Sequence, residues 1–281
     1  MTGAKRTQPF PTTTTHTVRL ALFQPTRRPE DIEAFIRTPW GLIRRKARLG
    51  QQHADVLEAI FYCHEKRKDL EDGAIKLLVD PAKVRRRARQ GGTTLQRIID
   101  DLQRAIIEII EPKELACQGQ LVGHINKAMR ADGTPITRRN PLTGGERALW
   151  SVTLGPVLTK LVQADIWVGY DPMPIAALRH GISQAIARHV LTHKTEPSGG
   201  WTLDGLIKTV AGGDISEQGM RDRRREARAD ADGLAAAGVL LENGRVRRCS
   251  PKPGCDVVGV EQNPDGVEQN PDGVEQNPGA W

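Results

Sequence analysis

Arginine is concentrated in a segment near the carboxyl end of the chain, where its spacing favours contact with a polyanion. On a helical wheel at about 100° per residue, residues 216–237 place apolar side chains on one arc and long polar side chains on the adjacent arc. The apolar arc consists of Met220, Ala227, Ala231, Leu234 and Ala235. The polar arc consists of Gln218, Arg221, Arg225 and Arg228, with Arg224 nearer the core edge, whereas Arg223 points the other way. Arginine and glutamine contact phosphates and the edges of guanine and adenine, so this helix is a candidate DNA reader.

A second basic segment lies earlier in the chain and has a similar organisation. A predicted helix over residues 93–104 has an apolar side formed by Leu95, Ile98, Ile99 and Leu102. Its opposite side carries Thr93, Gln96, Arg97, Asp100 and Arg104. The preceding helix, residues 82–89, adds cations that we expect to contact backbone phosphate: Lys83, Arg85, Arg86, Arg87 and Arg89. Asp100 and Asp101 weaken the positive field, so this segment is predicted to be the poorer DNA binder.

The sequence carries none of the common signatures of catalysis or metal binding. It holds no G-x-x-x-x-G-K-[ST] loop for phosphates and no G-x-S-x-G turn for a serine nucleophile. His189 and His193 fall on one helix face, yet the residues between them lack the glutamate of H-E-x-x-H. The four cysteines form no C-x-x-C pair. We therefore expect no enzyme activity, no cofactor and no metal site.

The elements that must position the basic segments recur in one order. The first stretch predicts a helix at 49–65, a strand at 75–79, helices at 82–89 and 93–104, and a hairpin of strands at 105–111 and 120–125. The second predicts helices at 174–193, 202–210 and 216–237, and a hairpin around Asn243-Gly244. On this hairpin, we expect Arg245, Arg247 and Arg248 to contact phosphate or the minor groove. This is the order of a winged helix, a variant of the helix-turn-helix. The sequence therefore predicts an α+β, mainly helical fold with two tandem winged-helix domains.

The two ends of the chain predict disorder from their composition. Residues 1–36 hold Pro9, Pro11, Pro25 and Pro29 and a run of four threonines, which indicates a flexible arm. The heptapeptide Gly-Val-Glu-Gln-Asn-Pro-Asp occurs twice from residue 259, and a third copy ends in Gly. Such units cannot bury a core, so residues 251–281 are predicted to be a disordered acidic tail. The folded domains are predicted at 37–140 and 141–250, the first for dimerisation and phosphate contacts, the second as the major DNA-binding domain.

The charge distribution points to a nucleic-acid partner. The 281 residues carry a net charge of +7, but residues 249–281 hold one lysine against six acidic residues. The preceding 248 residues therefore carry +12, and the commonest partner of so basic a folded region is nucleic acid. There is no run of about 18 apolar residues, and the basic start precedes no apolar stretch. We expect a cytoplasmic protein without membrane contact.

Residues 40–250 resemble the iteron-binding plasmid replication initiators, a family with two tandem winged-helix domains. The resemblance rests on the helix beginning at Leu49, on Thr93-Thr-Leu…Ile-Ile-Asp-Asp-Leu102 with its following hairpin, and on Ile182-Ser-Gln-Ala-Ile-Ala-Arg-His-Val-Leu-Thr-His193. It continues through Gly-Gly-Trp-Thr-Leu-Asp-Gly-Leu-Ile207 into the Arg-rich helix. The repeated acidic tail and the acidic residues of the first recognition helix depart from the family pattern.

The resemblance implies a protein that binds repeated sites in origin DNA, helps to open an AT-rich segment and recruits a host initiator and helicase. It also implies a homodimer formed through the first domain, and repression of the protein's own promoter. The apolar strand at 105–111 is a candidate for pairing with another chain. Two alternatives stay open: a repressor or partition-type DNA binder with the same domains, and a scaffold that uses winged helices for protein contacts. In the last case, both Arg-rich faces would be solvated and salt-bridged.

Overall fold

The computed structural model describes residues 11–140, 144–164, 167–212 and 215–249. Helices and strands are mixed throughout these residues, which confirms an α+β protein. Strands hold a larger share of these residues than a mainly helical fold would have. Several of the strands assemble into four-stranded sheets. The predicted acidic tail at 251–281 and the first ten residues lie outside the described residues.

Two hydrophobic cores divide the molecule into a first half and a second half. The first core draws on residues from Leu20 to Val162, and the second on residues from Tyr170 to Val246. The elements of the first half, in chain order, are β1 Thr13–Thr14, α1 Thr15–Arg19, β2 Ile32–Thr38, β3 Gly41–Ala47, α2 Gln51–Cys63, β4 His64–Asp69, β5 Ile75–Val79, α3 Pro81–Arg87, α4 Gly92–Arg104, β6 Ile106–Glu111, a 3₁₀ turn at Lys113–Leu115, β7 Cys117–Gly119, β8 Val122–Lys127, β9 Thr137–Arg139, β10 Glu146–Ala148, β11 Trp150–Leu154 and α5 Pro156–Ala164.

The second half contains shorter strands and more helix. Its elements are β12 Trp167–Val168, α6 Pro172–Ala176, α7 Gly181–Leu191, β13 Trp201–Thr202, α8 Leu203–Ala211, α9 Glu217–Ala229, α10 Ala231–Ala236, β14 Val239–Glu242 and β15 Arg245–Arg248. Thr202 caps α8 by accepting the N–H of Gly205, and Ser216 caps α9 in the same way through Gly219. These short polar residues stand directly before each helix, where their oxygens satisfy free N–H groups.

Each half contains one set of elements in the same order, which we call a module. The first module runs α2, β5, α3, α4, β8 and β11, and the second runs α7, β13, α8, α9, β14 and β15. In the first, β11 lies between β5 and β8; in the second, β15 lies between β13 and β14. All of these pairings are antiparallel. Asn243 and Gly244 turn the second hairpin with φ of 50° and 71°, the left-handed conformation that the Asn-Gly signal predicts.

The hairpin of the first module differs from the predicted one. The predicted strand at 105–111 forms β6, which leaves the module and lies between β3 and β7 in a separate sheet. The module instead pairs β8 with β11, and the chain between them carries the small hairpin β9–β10. The apolar β6 is better buried between two neighbours than at an edge: Ile107 and Ile109 are fully enclosed. Because both edges of β6 are paired within the chain, it is not available to another chain as expected.

The predicted domain boundaries need correction. The expected flexible arm at 1–36 is packed from Thr12 onward, with Leu20 and Leu22 in the first core. The threonines of β1 pair with β12, which ties this segment to the start of the second half. The expected boundary at 140/141 cuts the first module, because β11 pairs with both β5 and β8. The predicted arm contains the apolar run Leu20-Ala-Leu-Phe23. Burial of these side chains stabilises a packed structure despite the prolines around them.

Two predicted long helices are each interrupted. The helix expected over 174–193 is α6 followed by α7, and the one expected over 216–237 is α9 followed by α10. Asp230 lies at the second break and contacts the chain at the first. Its buried carboxylate accepts the N–H groups of Arg179 at 3.3 Å and His180 at 2.9 Å, just before α7. The carboxylate thus satisfies two backbone N–H groups between α6 and α7.

A buried cluster of charged side chains joins the two halves through their first module helices. Arg188 on α7 donates to Asp55 at 2.6 Å and to Glu58 at 2.9 Å, both on α2. Tyr170 donates its hydroxyl to Glu58 at 2.6 Å. Burial raises the pKa of Asp55 and of Glu58, and the guanidinium of Arg188 opposes that shift. Two carboxylates share a single guanidinium, so the cluster fixes α2 against α7 only while Arg188 is present.

Candidate nucleic-acid interface

Helix α3 presents its cations on the side opposite its buried residues. Asp80 accepts the N–H of Ala82 at 2.9 Å, and Pro81 occupies the first helical position, as the sequence predicts. Val84 and Ala88 are fully buried, which leaves Arg85 and Arg86 on the exposed side. The helix ends at Arg87, and Arg89 in the turn that follows adopts a left-handed φ of 53°.

Asp80 also attaches the β9–β10 hairpin to α3. Arg147 of β10 donates to both oxygens of the Asp80 carboxylate, at 2.9 and 2.6 Å. Burial favours a higher pKa for Asp80, but the hydrogen bonds from Arg147 and Ala82 outweigh it and hold the pKa below its usual range. The carboxylate therefore stays ionised and keeps the hairpin beside the helix.

Between α3 and this hairpin lies an open groove of about 1030 Å³, which we call the α3 groove. It is lined by seven cationic side chains and no acidic one: Lys83, Arg85, Arg86, Arg89, Arg138, Arg139 and Arg147. Lys83 and Arg138 both pair with Glu65, at 2.8 and 2.6 Å. Arg147 pairs with Asp80. The remaining four arginines have no acidic partner among the described residues: Arg85, Arg86, Arg89 and Arg139. The α3 groove therefore concentrates positive charge that only a ligand would neutralise.

Helix α4 has the two faces that the sequence predicts. Leu95, Ile98, Ile99 and Leu102 are all buried. The opposite face is open, with Thr93, Gln96, Arg97 and Arg104 exposed. Gln96 donates to Asp100 at 3.0 Å, so one acid of this face is already engaged. The helix cap lies two residues earlier than expected, at Gly91 rather than Thr93.

Helix α9 carries five arginines, but acidic neighbours occupy most of them. Arg221 lies 3.6 Å from Glu217, Arg223 3.0 Å from Glu226, and Arg225 3.0 Å from Asp222. Gln218 donates to Asp222 as well, at 3.2 Å. Arg228 is exposed and has no acidic partner within the part of the chain that the structure describes. The apolar arc is confirmed for Met220, Ala227 and Leu234, whereas Ala235 is exposed and Ala231 half-buried because the helix breaks at Asp230.

Two arginines predicted to contact DNA instead hold elements together. Arg224 donates to both oxygens of Asp204 on α8, at 2.6 and 2.7 Å, and these bonds lower the pKa of Asp204. Arg87 pairs with Asp171 at the start of α6 and stacks over Tyr62, 4.8 Å from the ring centre. Both guanidiniums contribute to packing between elements.

The hairpin of the second module is basic at its tip and anchored at its base. Arg245 is exposed, and no acidic partner for it is found in residues 215–249 or the other described ranges. Arg247 lies 4.0 Å from Glu196. Arg248 donates its backbone N–H to Glu196 at 2.9 Å and its guanidinium to the carbonyl of His193 at 2.5 Å. Of the three predicted hairpin arginines, Arg245 is the one left free for a ligand.

The histidine pair forms part of the seam between the halves. The Nε2 atoms of His189 and His193 are 3.1 Å apart, and the rings of Trp40 and Trp201 flank them. Burial, with help from His193 and Arg19, lowers the pKa of His189 to about 3.

No group of three or more metal-ligating side chains occurs in the described ranges. In those ranges, no helix has the length and apolarity that crossing a membrane requires.

Sequence reasoning missed part of the α3 groove. Arg138, Arg139, Arg147 and Gln90 were not among the predicted site residues, although all of them line it. The usable signal was Thr137-Arg-Arg-Asn140 and Glu146-Arg-Ala148 on either side of a Pro- and Gly-containing turn, the pattern of a hairpin.

No family model matches this chain, and no curated protein matches it. Among solved structures, it is similar to the crystal structure of selenomethionine derivatives of domains 2 and 3 of RctB, with a TM-score of 0.49 and 12% sequence identity. The match covers 86% of this chain and 100% of that one. At this level the likeness carries no argument about function.

Proposed function

We propose that this protein binds duplex DNA sequence-specifically through two tandem winged-helix domains and initiates the replication of a plasmid. The observation that carries the proposal is the recurrence of one topology: α2–β5–α3–α4–β8–β11 and α7–β13–α8–α9–β14–β15 share both element order and strand order. A winged helix binds DNA with its third helix in the major groove and its hairpin beside it. Helices α4 and α9 hold that third position.

The charges on these elements support DNA as the partner. On α4 we assign contacts to Thr93, Gln96, Arg97 and Arg104. On α9 and its hairpin we assign them to Gln218, Arg221, Arg225, Arg228 and Arg245, whereas Arg247 and Arg248 anchor the hairpin base. On α3 we assign phosphate contacts to Lys83, Arg85 and Arg86. The protein acts by binding, with no catalytic group and no cofactor.

The initiator role rests on the resemblance of residues 40–250 to the iteron-binding family. The protein would bind direct repeats in an origin, promote opening of an adjacent AT-rich segment and recruit a host initiator and helicase. It would also repress its own promoter. The test is a plasmid that carries only this gene and its flanking DNA: autonomous replication supports the initiator. Repression without replication would favour the alternative, a winged-helix repressor or partition protein.

DNA binding itself is tested by a salt series. Each phosphate that the protein neutralises adds about −0.9 to the slope of log affinity against log salt. We expect a slope of several units for the full-length chain on duplex DNA. A slope near zero would favour a scaffold that contacts proteins.

A homodimer would form at a different strand from the one that the sequence suggested. Strand β2 lies at the edge of the sheet β2-β3-β6-β7, and it carries Phe35, 66% exposed, and Ile32, 37% exposed. An open edge strand with exposed apolar side chains favours pairing with another chain. Replacing Phe35 by Lys should convert dimers to monomers in sedimentation, whereas Arg67→Ala, on the edge strand β4 of the other sheet, should not.

A further inference from the structure

The lining of the α3 groove includes a buried side-chain amide whose nitrogen lacks a hydrogen-bond partner among the described residues. Gln90 follows Arg89 in the turn between α3 and α4, lines the groove and is 8% exposed. Its Nε2 is buried and has no hydrogen-bond partner among the described residues. An unsatisfied buried amide donor costs about 1–3 kcal/mol, so such a donor calls for an explanation, and a bound anion is one.

The start of α4 adds more unpaired donors beside Gln90. Gly91 caps this 13-residue helix without a side chain, so the first N–H groups, from Gly92 to Thr94, have no intrahelical acceptor. Gly91 lines the α3 groove, and Gly92 lines the adjoining hollow, which shares Arg85 and Arg147 with the groove. Donors and the positive end of a helix dipole at one place attract an oxyanion.

Four cations without acidic partners line the groove around this point. Arg85, Arg86, Arg89 and Arg139 line the same groove and lack acidic partners in the described part of the chain. Arg89 holds a left-handed φ of 53° at the end of α3, a position where glycine is favoured. An arginine therefore stands where a residue without a side chain would be more stable.

From these observations we infer that the α3–α4 turn binds one phosphodiester of a duplex backbone, with Gln90 Nε2 and the α4 N-terminus as donors and Arg89 as the counter-charge. This assignment rests on the proposed DNA-binding function and locates one contact of it. The groove is open, and seven of its eleven lining residues are cationic. These lining residues include no aromatic side chain on which the base of a free nucleotide would stack. A polymer backbone, which needs only charge and donors, fits it better.

The experiment compares three variants of the full-length chain on a random-sequence duplex, by fluorescence anisotropy across a salt series. Gln90→Leu should weaken binding about tenfold with an unchanged salt slope, because it removes a hydrogen bond to a charged group but no charge. Its Tm should equal or exceed that of the wild type, because the unpartnered amide is gone. Arg89→Gly should also weaken binding, but it should lower the slope by about one and leave Tm equal or higher.

Gln103→Leu is the matched control. Gln103 donates to the carbonyl of Gly123 at 3.2 Å, so its loss should lower Tm and leave DNA affinity unchanged. Wild-type affinity in Gln90→Leu, or a fall in its Tm without a fall in affinity, would overturn the phosphate site while leaving DNA binding intact. If the wild type binds no duplex, the proposed function and this backbone contact fail together.

A second arm distinguishes the backbone from a free anion. The Tm of wild type and of Gln90→Leu is measured with inorganic phosphate in place of chloride at equal ionic strength. Equal responses support the backbone assignment when the duplex arm shows its tenfold loss. A stabilisation by phosphate that Gln90→Leu abolishes, with unchanged duplex affinity, would overturn it in favour of a free phosphate.

Discussion

Arg85 on α3 and Arg225 on α9 are both exposed arginines within runs of arginine, yet their surroundings differ. Arg85 faces a groove whose charged lining residues are all cations. Arg225 lies 3.0 Å from Asp222, and its neighbours Arg221 and Arg223 have acidic partners one turn away. The acids near α3 are already used: Glu65 and Asp80 bind Lys83, Arg138 and Arg147. An arginine count along the sequence therefore misjudges the field, since pairing decides how much charge a ligand meets.

The same comparison bears on the expectation that the first half is the poorer DNA binder. The acids Asp100 and Asp101 suggested a weak first half. Asp100 accepts from Gln96, and Asp101 accepts from His53 at 3.2 Å, so both are occupied within the fold. We now expect the first half to supply most phosphate contacts and α9 to supply base contacts.

The largest effect should come from the cluster that joins the halves. Arg188→Ala leaves Asp55 and Glu58, 0% and 4% exposed, without their guanidinium. Losing one partner of a buried ion pair costs about 3–5 kcal/mol, so the free energy of unfolding in urea should fall by that amount. Arg223→Ala, which breaks the partly exposed pair with Glu226, is the control and should cost under about 1 kcal/mol. Equal losses in the two variants would show that the halves do not depend on this joint.

The next effect separates the two basic surfaces. Replacing Arg85, Arg86 and Arg139 together by Ala should reduce affinity for random duplex about 100-fold, or ~2.7 kcal/mol, and lower the salt slope by about three. The matched variant replaces Arg221, Arg223 and Arg225, and it should cost less because each arginine is already paired with an acid. If the α9 variant loses more affinity for random duplex, the ranking of the halves is the reverse.

A smaller effect concerns the seam and its pH dependence. The pKa of His189 is lowered to about 3 and that of His193 to about 4, chiefly by burial. The unfolded chain therefore binds protons below pH 6.5 that the folded chain does not, and the free energy of unfolding falls as the pH drops. By pH 5 the loss from His189 alone is about 2 kcal/mol. His189→Gln should flatten Tm between pH 7 and 5, whereas a substitution of the exposed His124 should leave the profile as it is.

The smallest effect tests base reading by α9. Arg221→Ala should reduce the preference for a cognate repeat over a scrambled duplex by about tenfold, within the ~1–3 kcal/mol that a bidentate arginine–guanine contact is worth. Arg223 lies on another face of α9, so Arg223→Ala should leave the preference for the cognate repeat unchanged. Competition binding with the two duplexes measures both variants. Should Arg223→Ala cost as much preference as Arg221→Ala, α9 does not present the face assigned to it.

The sequence by itself determined the local elements, because their signals are local. Asp80-Pro81 predicts the start of α3, the spacing of Leu95, Ile98, Ile99 and Leu102 predicts the buried face of α4, and Asn243-Gly244 predicts the hairpin turn. Caps, turns and helical periodicity depend on residues within a few positions of one another.

Only the tertiary structure decided which strand completes the first module and which cations remain unpaired. The sequences of β6 and β8 both predict hairpin strands. In the structure, β6 lies between β3 and β7, where Ile107 and Ile109 are buried. Arg147 reaches Asp80 across 67 positions of sequence, and Arg188 reaches Asp55 across 133. Strand partners and ion pairs at such separations follow from the packing of the whole chain, because burial and Coulomb energy depend on distance in space rather than along the sequence.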